Sequence, residues 1–165
     1  MKALLPTVVA VTMVLGASPA LAQVIPGYRD DYDASQLQFR AYAMAEFQGV
    51  LAEWIEAVNA RDARAAARLY TDDAFVHLDR PMNGEDAARA SLEAWLDHVE
   101  GVRAGLSDFD ASGNLAYGSA RVQLEGAGSG GIVDGTMTFV MRRDGRTWKI
   151  RSQTLVVNTL SNRDS

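Results

Sequence analysis

The apolar residues of this chain change their spacing near Val102, and that change restricts the fold more than any other feature. Before it they recur every three or four positions: Phe47, Val50, Leu51, Trp54, Ile55 and Val58 make one face of a helix. Asp33, with Gln36 three residues on, has the form of a capping box that opens this helix. Asn59-Ala60-Arg61-Asp62 ends it, and Asp62 is placed to cap a short second helix over Ala63 to Tyr70. A brief strand, Phe75 to Leu78, is expected after the Thr71-Asp72-Asp73 turn. A third helix begins after Asn83-Gly84, with Ala88, Leu92, Trp95, Leu96 and Val99 as its stripe.

From Val102 the period is two. Four strands are predicted, Val102 to Phe109, Leu115 to Glu125, Ile132 to Arg143 and Trp148 to Asn158. Turn-forming Ser112-Gly113-Asn114, the Gly126 to Gly131 run and Asp144-Gly145 separate them. Helices followed by hairpins indicate an α+β domain with three helices packed on one face of an antiparallel sheet. Alternation sorts the strand residues into faces. One face takes Ala116, Ala120, Val122 and Leu124, then Val133, Met137, Phe139 and Met141, then Trp148, Ile150, Ser152, Thr154 and Val156. The other takes Tyr117, Arg121, Gln123, Thr136, Thr138, Lys149, Arg151 and Gln153. The apolar face is the one expected to meet the helices.

The first 22 residues read as a cleavable signal peptide. Lys2 precedes an apolar run from Ala3 to Leu15, and Ala20-Leu21-Ala22 is a small-x-small cleavage site. That run is shorter than the roughly 20 residues a bilayer-spanning helix needs, so membrane insertion after cleavage is not expected. The expected location is periplasmic or secreted. A leader over 23–34, a domain over 35–160 and a tail over 161–165 complete the organisation. The chain has no cysteine, so its core must hold by burial alone. A net charge of −5 without basic runs argues against nucleic acid as a partner.

The order of these elements, with Tyr70-Thr71-Asp72-Asp73-Ala74 before the short strand, Asn83-Gly84 before the third helix and Arg142 to Ile150 (RRDGRTWKI) in the last hairpin, resembles the nuclear-transport-factor-2-like superfamily. That group includes ketosteroid isomerases and SnoaL-like polyketide cyclases. The resemblance covers roughly Glu46 to Asn158 and implies a cone: a curved sheet wrapped round the long helix, with a deep apolar cavity between them. It also implies where chemistry would sit. Trp54 lies five residues before Asn59, where the ketosteroid isomerases carry a first-helix oxyanion tyrosine. Their catalytic base would fall at Leu78 and their second oxyanion acid near Phe139. On the last strand, where SnoaL-like relatives often place a histidine, the nearest matches are Ser152 and Thr154. Leucine and phenylalanine cannot move a proton.

The titratable candidates are therefore few. His77 with Asp79, or Asp73, could form an acid–base pair if one of them opened into the cavity. Period two turns His77 and Asp79 away if Leu78 faces inward. Two histidines, no cysteine and no HExxH or i,i+4 histidine spacing leave no metal site. The Gly126 to Gly131 run lies between strands with no helix after it, so it lacks the context of a phosphate loop. No cofactor is implied.

The expected site is instead an apolar wall with a few polar atoms: Trp54, Tyr70, Leu78, Val122, Met137, Phe139, Ser152 and Thr154. Its expected occupant is a small apolar or aromatic molecule. The alternatives are a cofactor-independent isomerase, cyclase or hydratase, and a module that pairs two copies through the polar sheet face.

Overall fold

In a computed structural model, residues 33–83, 86–126 and 131–158 are described. The expected signal peptide, most of the leader, Gly84, the middle of the glycine run and the tail lie outside the described residues. No described helix is long and apolar enough to cross a membrane. Three helices, α1 (Ala34–Asn59), α2 (Ala63–Ala67) and α3 (Ala87–Leu96), pack on one six-stranded sheet. The strands are β1 (Tyr70–His77), β2 (Pro81–Asn83), β3 (Gly101–Ser112), β4 (Leu115–Glu125), β5 (Ile132–Asp144) and β6 (Thr147–Val157). Their order across the sheet is β2-β1-β6-β5-β4-β3.

The capping box forms as its residues suggest. The Asp33 carboxylate accepts from the Gln36 backbone, and the Gln36 side chain accepts from the Asp33 backbone. With 26 residues, α1 runs for about 39 Å. Its buried positions Ala43, Phe47, Leu51, Trp54 and Val58 form the stripe that faces the sheet. Arg61 ends the helical segment in the left-handed region, at φ 56°, and its guanidinium donates to the carbonyls of Leu96 and Val99. Beside it, the Asn59 side chain pairs with both backbone groups of Val102. These contacts fix α1 against the end of α3 and the start of β3.

The sheet departs from the expected antiparallel arrangement in two ways. β1 pairs with β6 in parallel, and the three-residue β2 extends the edge by pairing antiparallel with β1. The second helix also stops at Ala67, which releases Tyr70 into β1.

Two bulges bend the sheet. One lies between Leu106 and Asp108 in β3. The other leaves Arg151 of β6 without a partner on β5, where Met141 pairs with Ile150 and Val140 already pairs with Ser152. An extra residue in one strand increases twist and reverses the faces beyond it. On its other side β6 shows the same break: Tyr70 pairs with Ile150 and Phe75 with Ser152, so Thr71 to Ala74 form an excursion opposite Arg151 in which Asp72 and Asp73 are exposed.

The core is continuous from α1 to the inner sheet face. Phe47 makes edge contacts with Phe109 on β3 (centroids 5.3 Å apart) and with Phe139 on β5 (6.2 Å). It reaches that position because Gly118 on β4 has no side chain. A Cβ there would stand 2.6 Å from the Phe47 ring and 3.1 Å from the Asp108 carbonyl oxygen. Since two other rings hold Phe47, it has no easy way to swing aside. Gly118→Ala is therefore expected to destabilise the fold by about 1–3 kcal/mol, measured by urea unfolding, whereas Gly105→Ala, where a Cβ meets nothing within 4 Å, is free of that clash.

Candidate functional site

The inner face carries the residues expected to line the site, with two exceptions. Trp54, Tyr70, Leu78, Val122, Met137 and Phe139 are all buried on the helix-facing side. Ser152 and Thr154 are not on that side. The Arg151 bulge shifts the alternation by one, so Gln153 and Leu155 point inward and Ser152, Thr154 and Val156 point out. The accessibilities follow the new phase: Gln153 is 0 % and Leu155 7 % exposed, against 60 % for Val156. Gln153, assigned by simple alternation to the outer face, is the polar side chain at the centre of the inner one. It lies between Val76 on β1 and Phe139 on β5.

Around Gln153 the interior contains a hydrogen-bonded relay. The Trp54 indole Nε1–H donates to the Tyr70 hydroxyl at 2.8 Å, and the Tyr70 hydroxyl donates to the Gln153 side-chain carbonyl. The Gln153 Nε2 then stands 2.7 Å from the Met137 sulfur. Loss of water around the Tyr70 phenol pushes its pKa far above the ordinary value, only partly offset by the Trp54 hydrogen bond, so it is a neutral hydroxyl at any physiological pH. The residues packed around the relay are apolar or aromatic. Trp54 lies 6.0 Å from Trp95, tilted, and 6.0 Å from Phe139, edge to face. Apart from Gln153, the buried polar residues among those described are Thr71 and Ser91. No group of three or more metal-ligating side chains occurs among the described residues.

The titratable candidates lie elsewhere. Val76 and Leu78 take the inward positions of β1 and the segment after it, which turns His77 outward, and Asp79 is exposed. Asp73 sits on the exposed excursion of β1, where its carboxylate takes Arg142 (3.1 and 3.3 Å) and the Nε of Arg151 (3.2 Å). Asp73 is thus the anion that secures the bulge from outside, and none of the three side chains opens into the interior.

On its outer side the sheet has a different character. Register places Phe75, Ser152, Val140 and Tyr117 in one row across it, and His77, Thr154, Thr138 and Ser119 in the next. Towards β3 the same face carries a groove of about 420 Å³ whose lining includes Gly105, Arg103, Arg121, Asp134 and Thr136. Arg103 is paired with Glu125, and Asp134 accepts from Gln123.

Comparison with known proteins decides the family. Residues 51–150 match the family model for the SnoaL-like domain. The chain belongs to the SnoaL-like domain family. The match spans α1 from Leu51 through Ile150 on β6, so it includes the helical wall at Trp54 and the bulk of the inner sheet face.

Solved structures of the same fold include a Mycobacterium tuberculosis protein of unknown function (19% identity, TM-score 0.63, 78% of each chain covered). Another is a provisionally assigned scytalone dehydratase from Novosphingobium aromaticivorans (16%, TM-score 0.60, 71% of this chain and 85% of that one). A third is a ketosteroid isomerase-like protein from Erwinia carotovora atroseptica (16%, TM-score 0.60, 70% and 95%). At these identities the likeness is one of fold. No curated protein sequence matches the chain.

Proposed function

We propose that this SnoaL-like domain is exported and binds a small, mostly apolar molecule between α1 and the inner sheet face, without metal or organic cofactor. One observation carries the reading: a Trp54–Tyr70–Gln153 relay lies at the centre of a wall that is otherwise aromatic and aliphatic. Pockets for small molecules have this composition, mostly apolar with a few placed polar atoms that set orientation. The methionine at the end of the relay suits an adaptable wall, because its unbranched side chain repacks at little cost.

Acid–base catalysis by His77, Asp79 or Asp73 is the weaker reading. Proton transfer needs a titrating group within hydrogen-bond reach of the substrate, and the group inside is a phenol whose pKa burial has raised.

A screen of steroids, polyketides and aromatic acids against the protein tests the proposal. Ligand bound only by the folded state raises the melting temperature in proportion to its occupancy, so at least one of these classes is expected to raise it by several degrees. No shift from any of them, at concentrations up to their solubility, contradicts it.

The outer face supports a second reading, a homodimer. Its central rows hold Phe75, Val140, Tyr117 and several hydroxyls, with the arginines and carboxylates towards the rim. Charge depleted from the middle and aromatic residues in it is the anatomy of a protein interface. Sedimentation at micromolar concentration is expected to give a dimer, and a strict monomer removes this reading.

A further inference from the structure

The relay has a direction, and the direction specifies what it can recognise. An indole N–H only donates. The Tyr70 oxygen therefore accepts from Trp54, and its own proton is sent on to Gln153. That settles the Gln153 amide, with its carbonyl towards Tyr70 and its NH2 towards Met137. The chain begins at a donor and ends at a donor. Its last group has two N–H bonds, and the acceptor it meets is one thioether, which accepts only weakly. Among the described residues no other acceptor reaches that amide. A buried amide donor so poorly satisfied is unfavourable by itself and favourable towards any oxygen acceptor brought to it.

We propose that Gln153 is the specificity-determining donor of the interior site, and that it selects an apolar molecule bearing a neutral acceptor oxygen: a ketone, quinone or ester carbonyl. The inference rests on the interior-binding reading above. The carbonyl oxygen takes the place of the Met137 sulfur against Nε2, and the flexible methionine moves aside. A carboxylate is disfavoured because, among the described residues, no buried cation stands near the relay to replace its lost water. An ammonium is disfavoured more strongly, since a donor would meet a donor. Trp54 and Tyr70 act as positioning residues that keep the amide from flipping.

Three probes of one skeleton test the assignment: 1-tetralone with an acceptor, tetralin with neither donor nor acceptor, and 1-aminotetralin as a cation. Calorimetric or fluorescence titration of the full chain is expected to give 1-tetralone an affinity at least about fivefold above tetralin, with the amine weakest. In Gln153→Leu the ratio of 1-tetralone to tetralin is expected to fall to about one, whatever the variant does to the affinity for tetralin itself. A ratio near one in the unaltered protein overturns the proposal, as does a ratio that survives Gln153→Leu. So does a ratio lost instead in Trp148→Phe, which removes a buried indole N–H that has no partner among the described residues.

Should Gln153→Leu fail to fold, the Gln153 side-chain amide of the unaltered protein gives the answer by nuclear magnetic resonance. Its protons are expected to move downfield with 1-tetralone and not with tetralin, and an unmoved pair overturns the assignment. Failure of all three probes to bind is a different result: it removes the interior-binding reading, and this inference falls with it.

Discussion

Replacing Trp54 with alanine is expected to lower stability by about 3–5 kcal/mol. Three separate terms meet at that side chain. The indole is fully buried, so its removal forfeits the transfer of a large apolar surface and leaves a cavity that helix and sheet cannot both close. Its contacts with Trp95 and Phe139 join α3, α1 and β5, and those ring pairs are lost together. The Tyr70 hydroxyl also loses its donor, although it keeps Gln153 as an acceptor. Trp54→Phe separates the terms. It retains much of the ring and removes the N–H, so it should cost clearly less than the alanine variant in urea unfolding. Equal costs for the two would mean that ring volume contributes little, contrary to the packing described.

Gln153→Glu is expected to produce the strongest pH dependence of any substitution. The change is almost isosteric, and a protonated carboxyl can still accept from Tyr70 and face Met137. Ionised, it would be a charge buried between Val76 and Phe139 with no cation beside it. Burial of this kind raises a glutamate pKa by about 3 units or more from its ordinary value near 4.3. Because the folded-state pKa lies above the unfolded one, stability is intact below about pH 4 and is lost by about 1.4 kcal/mol per pH unit above it. At pH 7 the loss amounts to about 3–4 kcal/mol. Thermal melts of the variant at pH 4 and pH 7, each compared with the parent at the same pH, check this. A variant equally stable at both values would mean that water or a cation reaches position 153.

Local signals carried most of the fold. The Asp33–Gln36 capping box and the Phe47–Leu51–Trp54–Val58 stripe depend on neighbours three and four residues apart, and both stand as read. β4 begins at Leu115 and ends at Glu125 as the alternation requires, because glycine-containing segments bound it on both sides.

What was not legible depends on contacts distant in sequence. β2 is three residues long and begins with a proline, so only its pairing with β1 makes it a strand. The parallel match of β1 to β6 joins segments some 80 residues apart and leaves no local mark. The Arg151 bulge was hidden for a particular reason. Leu155, Val156 and Val157 are all apolar, so the end of β6 fits either phase of an alternating pattern. The one discordant sign was a glutamine that simple alternation sent to solvent. Asp73 holds the bulge through Arg151 and Arg142, but nothing in the spacing of these residues announces that they meet. As a result Trp54, Tyr70, Met137 and Phe139 could be placed on the inner wall from sequence, whereas the residue that completes their relay could not.

The central claim is that the interior around this relay, rather than the outer groove or the dimer-like face, is where a ligand goes. Methionine methyl resonances test it directly, because of the four described methionines Met137 and Met141 are fully buried on the inner face, Met44 is exposed on α1 and Met82 is half-buried at the sheet edge. Titration of methyl-labelled protein with 1-tetralone is expected to shift Met137 most, Met141 less, and Met44 not at all. Shifts confined to Met44, or saturable binding that leaves the Met137 methyl unmoved, would contradict the account.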